Sequence, residues 1–138
     1  MKKIGGVIVS HGQLANELLA ATEQVVGDLG HIKAVSIGWH DNVEAAQDEI
    51  ERAIKEVSSG NGVLLLTDMF GGTPTNIAAM FIEDGEIEVV TGVNLPMVIK
   101  IASQNSESTL AEMALKVESQ GKEAIYRASD LLEPPKSI

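Results

Sequence analysis

Hydrophobic and polar positions along this chain alternate between two periods. "IGGVIVS", residues 4 to 10, is an apolar run of strand length, and Leu14, Leu18, Ala21 and Val25 then recur at helical spacing until Gly27 offers a stop. The form repeats. "KAVSIG" predicts a second strand, and after Asp41 the positions Val43, Ala46, Ile50, Ile54 and Val57 make one face of a second helix that ends near Gly60. "GVLLLTD" is the most hydrophobic strand, which in an α/β protein places it at the centre of the sheet, covered on both faces. A short helix over residues 75 to 83 leads to a fourth strand, "EIEVVTG". Another segment begins near Pro96, a helix carries Leu110, Met113, Ala114 and Val117 on one side, and "EAIYR" is a candidate last strand.

Strands and helices alternating through short connections predict an α/β fold, with an open, mostly parallel sheet sandwiched between helices by right-handed crossovers. Residues 1 to 130 read as a single domain. Residues 131 to 138, "LLEPPKSI", form a short tail whose prolines cannot continue regular structure. In open parallel sheets, ligands bind beyond the carboxyl ends of the strands, where the strand order reverses. If the order is 2-1-3-4, His11 after strand one and Asp68 after strand three face each other across that reversal. Asn94, after strand four, reaches the same rim.

Composition narrows the chemistry. The 138 residues include no cysteine, which excludes disulfides and thiolate nucleophiles and removes the best soft-metal ligand. The net charge of −10 opposes nucleic-acid binding and favours partners with basic surfaces. No apolar run approaches the roughly 18 residues of a membrane helix, and "MKKIGGVIVSHG" lacks the long apolar core of a signal peptide, so a cytoplasmic location is expected. Aromatic residues make up only 3% of the chain, which leaves the core to aliphatic side chains, with the methionines as filler.

Within that frame, "TDMFGGTPTN" suggests an anion site made of backbone. Gly71 and Gly72 permit positive φ and successive exposed N–H groups, while Thr73 is suited to cap a helix whose first residue is Pro74. There is no Walker A sequence and no dinucleotide fingerprint, so neither ATP nor NAD is indicated, and no metal or other cofactor is required. A neutral imidazole at His11, its tautomer fixed by Asp68, could accept a phosphoryl group beside such a nest. Blander roles exist for each residue. His11 could be a solvated loop residue, Asp68 a turn residue, the glycine pair a tight connection and Thr73-Pro74 a cap alone. His31 and His40 read as solvated, the run "EDGEIE" as a solvated edge, and Trp39 as either a partner-contact anchor or a half-buried loop residue.

"VSHG", "LLLTDMFGGTPTN" and "TGVNLPM", in this order and spacing, resemble the mannose-family enzyme IIA domain of the bacterial phosphoenolpyruvate-dependent sugar phosphotransferase system, from about residue 3 to residue 126. The resemblance implies a phosphotransferase component in which His11 accepts a phosphoryl group from the histidine-containing phosphocarrier protein. His11 would donate it to an enzyme IIB on a separate chain, through which a membrane permease would be approached peripherally. It further implies Asp68 as the hydrogen-bond partner of His11 and Thr73 close to the phosphoryl group; apart from the resemblance, Gly12, Asn94 and Trp39, which follow strands at the same rim, are candidate rim contacts. Family members are homodimers that exchange an antiparallel last strand, here around Glu123 to Tyr126. Two other readings stay open: the related phosphocarrier subunit of a dihydroxyacetone kinase, and a regulatory or anion-binding module of the same fold.

Overall fold

The computed structural model describes residues 2–38, 42–105 and 107–132. Four strands, β1 (Gly5–His11), β2 (Ile32–Ile37), β3 (Val63–Thr67) and β4 (Ile87–Thr91), form one sheet in the order β2-β1-β3-β4. All three pairings are parallel, so the expected order and direction hold. Because side chains alternate across a strand, Ile4, Ile8, Leu64 and Leu66 face one layer and Val7, Val9, Val63 and Leu65 the other. The first layer is built by helices α1 (Leu14–Val26), α4 (Leu95–Ala102) and α5 (Leu110–Glu123). The second is built by α2 (Val43–Val57) and α3 (Thr73–Ala79). Every residue of β3 is buried, as expected for the central strand.

Several expectations shift. α1 does not bury the stripe read from the sequence: Ala15 and Thr22 are buried, Leu18 and Leu19 pack partly, and Leu14 and Val25 are exposed. The helix is rotated because Ser10, fully buried at the end of β1, accepts a hydrogen bond on Oγ from the Ala15 N–H at 2.7 Å and pins that side inward. α3 spans Thr73–Ala79 rather than 75 to 83, and its cap is Gly72, not Thr73. Thr73 opens the helix and Pro74 follows it, where a missing N–H costs nothing. The segment "EAIYR" forms no strand. α5 runs on to Glu123, supported by the Lys122–Glu118 pair one turn apart, and within the single chain residues 125–127 leave the helix without pairing to a strand. A last helix, α6 (Ala128–Leu131), follows them and reaches the first residue of the expected tail.

His31 is half-buried rather than solvated. Burial lowers its pKa, opposed by the Ile101 carbonyl 3.3 Å from Nε2 and reinforced by nearby Lys3. The methionines divide: Met97 and Met113 fill the core, whereas Met69 and Met80 are exposed. Trp39 and His40, together with residues 133–138 of the tail, lie outside the described residues. Of the run read as a solvated edge, Glu83, Asp84 and Glu86 are exposed as expected, whereas Ile87 and Glu88 open β4 and are half-buried.

Asn94 shows how the rim is fastened. Its Oδ1 accepts from the Met97 N–H at 3.2 Å and caps α4, while Nδ2 donates to the Gly121 carbonyl at 3.1 Å and ties α4 to α5. Both polar ends of the side chain therefore serve the scaffold. Asn94→Ala is expected to cost about 1–2 kcal/mol, the size of a lost cap, read by denaturant unfolding.

Candidate functional site

β1 ends at the rim where the strand order reverses, and the backbone turns sharply there. Gly12 takes φ +53°, which favours glycine, and its N–H donates to the Ile37 carbonyl at 3.0 Å. This turn leaves the His11 side chain outside the sheet, 51% exposed. Across the reversal, Asp68 follows β3 with its side chain only 11% exposed. The two residues meet as the topology implied: His11 Nδ1 lies 2.7 Å from Asp68 Oδ2.

The same oxygen accepts the His11 backbone N–H at 2.9 Å, and Oδ1 accepts the Met69 N–H at 3.0 Å. Burial alone would raise the Asp68 pKa. The His11 backbone N–H, the His11 ring and the Met69 N–H together outweigh burial and hold the carboxyl below its ordinary range. An ionised carboxylate can only accept, so Nδ1 must carry the ring proton. In the neutral imidazole Nε2 is then left with a free lone pair.

The loop from Asp68 to Gly72 closes the site from the side. Gly71 has φ +88°, and the N–H groups of Phe70 and Gly71 have no acceptor among the described residues. Thr75, buried in the first turn of α3, fastens the loop from below: its hydroxyl donates to the Met69 carbonyl and lies 2.7 Å from the Thr67 hydroxyl. Gly72 lies directly against the His11 ring, and Thr73 is exposed at the first position of α3. Of the residues expected at the site, His11, Asp68, Gly71, Gly72, Thr73 and Gly12 gather at one rim. Asn94 stands on the rim but is committed to capping.

Sequence reasoning missed Ser10 and Thr75, whose hydroxyls hold α1 and the loop. It also missed the apolar character of the surface. Phe70 is 81% exposed and Met69 54% exposed on the loop after Asp68, and Leu14, the first residue of α1, is exposed as well. The signal was present in "DMFGG", where two large apolar residues occupy a loop that offers them no core. By contrast, two open clefts of about 500 Å³ lie at the opposite end of the sheet, lined by residues such as Asn61, Glu86 and Thr109.

Comparison with known proteins follows the same lines. Residues 5–118 match the family described as the PTS system fructose IIA component. The chain belongs to this family. As a mannose-family IIA component it is a phosphotransferase component of the sugar phosphotransferase system. It is 28% identical to the fructose-specific EIIA component of Bacillus subtilis, over 97% of this chain and 92% of that one. It is 27% identical to the mannose-specific EIIAB component of Escherichia coli over 86% of this chain, but spans only 38% of that longer protein. The solved mannose/sorbose specific IIA subunit from Enterococcus faecalis superimposes with TM-score 0.82 at 32% identity, covering 99% of both chains. Among the described residues, no helix is long and apolar enough to cross a membrane.

Proposed function

We propose that this IIA component carries a phosphoryl group on Nε2 of His11. The group would come from the histidine-containing phosphocarrier protein and pass to an enzyme IIB on a separate chain during sugar uptake. The 2.7 Å contact between His11 Nδ1 and Asp68 Oδ2 supports this reading most directly, because it leaves Nε2 unprotonated and turned from the carboxylate. In the accepting step the Nε2 lone pair attacks phosphorus, a new N–P bond forms, and the N–P bond to the donor's imidazole breaks. The Nδ1 proton stays in its hydrogen bond to Asp68, which offsets the positive charge that develops on the ring. Donation to IIB runs the same exchange onto the acceptor's nucleophile.

Phosphoryl transfer depends chiefly on positioning and on stabilising charge spread over the equatorial oxygens. The loop N–H groups of Phe70 and Gly71, and the exposed Thr73 at the opening of α3, are suited to that charge. Half-exposed His11, with the large exposed apolar residues Met69 and Phe70 on the loop that follows its partner Asp68, suits a protein that presses on the rim more than a small molecule in a cleft. The net charge of −10 favours basic faces on both partners. Named relatives that act on fructose, mannose and sorbose favour a sugar system over a dihydroxyacetone kinase.

The test is incubation with phosphoenolpyruvate, enzyme I and the phosphocarrier protein. An acid-labile, alkali-stable label on this chain is expected; no label with several phosphocarriers would overturn the carrier reading.

A homodimer belongs to the same proposal. β4 is an edge strand, and a cavity of about 150 Å³ beside it is lined by Val90, Thr91 and the exposed Ile125. An uncovered edge next to exposed apolar chain is the arrangement that strand addition from a second copy would complete. Sedimentation equilibrium is expected to give twice the chain mass of 14.6 kDa, and a monomer mass would contradict this part.

A further inference from the structure

Gly71 and Gly72 are neighbours, yet the fold uses them for different reasons. Gly71 takes φ +88°, and a Cβ added there would meet nothing within 4 Å. Its requirement is conformational. Gly72 takes φ −95° and ψ 168°, extended backbone that any residue adopts. A Cβ added at Gly72, however, would stand 2.7 Å from Cε1 and 3.2 Å from Nε2 of His11, with Met69 Cγ next at 3.6 Å. Carbon atoms rest about 3.5 Å or more apart, so the conflict is with the imidazole alone.

The ring has one way to yield. Its Nδ1 edge is already 2.7 Å from Asp68, while its outer part is open to solvent. A methyl group at position 72 would push the ring outward and away from that carboxylate. We infer that Gly72 is a positioning residue: its bare Cα is the platform on which the His11 ring lies, holding Nδ1 on Asp68 and Nε2 at the loop. The inference rests on the carrier reading only for its consequence in transfer. The platform itself is a statement about the resting protein.

Nitrogen NMR on the whole protein labelled at histidine reads the tautomer without any donor. Wild type is expected to show His11 protonated at Nδ1. In Gly72→Ala that signature should move toward the mixture of a free imidazole, and kcat for phosphoryl acceptance should fall at least about 10-fold, with KM for the phosphorylated donor within about 2-fold. Gly71→Ala should lower the melting temperature through its backbone and leave the His11 signature as in wild type. Should Gly72→Ala fail to fold, the His11→Ala background decides. There the added methyl meets no ring, so a folded double variant supports the inference and an equally unfolded one overturns it. A Gly72→Ala protein with wild-type tautomer and wild-type transfer also overturns it. If wild type accepts no phosphoryl group at all, the carrier reading falls, and the tautomer comparison still rules on Gly72.

Discussion

His11→Ala is expected to reduce phosphoryl labelling to background while the protein stays folded. The chain has no cysteine and three histidines, so few side chains could take over the nucleophile's role. His31 does not substitute, because it is half-buried at the start of β2 with Nε2 beside the Ile101 carbonyl, at the far end of the sheet from the loop glycines. The substitution should be mild for the fold. The ring is 51% exposed, and the His11 backbone N–H keeps its bond to Asp68 whatever the side chain. Labelling with phosphoenolpyruvate and the general components, alongside a melting curve, separates loss of chemistry from loss of structure. Undiminished label in the variant would move the phosphoryl site elsewhere.

Asp68→Asn is expected to slow transfer by about 100-fold or more, the scale of removing a group that orients and charges a catalytic base. The amide is the same size as the carboxylate but carries no charge, and it can present either an acceptor or a donor to Nδ1. The tautomer is then no longer fixed, and the cation forming on the ring has no counterpart. A pH experiment tests the same contact. The folded Asp68 pKa lies below its unfolded value, so the stability it contributes is complete above the ordinary carboxylate pKa and is lost as pH falls through the folded pKa. Wild type should therefore melt higher than Asp68→Asn at neutral pH and lose that advantage on acidification. Equal transfer rates in the two proteins would remove Asp68 from the mechanism.

Much of this was legible in the chain because it depends on period and topology. The apolar run Val63–Thr67 could only be a central strand, and once the order β2-β1-β3-β4 is assumed, His11 and Asp68 must meet at the reversal. What the sequence hid depends on single contacts between distant residues. The Ser10 hydroxyl holds the Ala15 N–H, so Ala15 is buried and Leu14 is exposed instead of lying in the core. One position of slippage makes Gly72 the cap in place of Thr73. "EAIYR" has strand-forming residues, but within the single chain the helix before it keeps winding to Glu123, and residues 125–127 join neither edge of the sheet, β2 or β4. The steric demand at Gly72 leaves no local trace, since a glycine needed for shape and a glycine needed for room read alike.

The most direct test of the account is phosphorus and nitrogen NMR on the labelled, unmodified protein, which identifies the atom that bears the phosphoryl group. Phosphorus bonded to Nε2 of His11, with Nδ1 still protonated against Asp68, is the expected result. Phosphorus on Nδ1, or on any other residue, would contradict it.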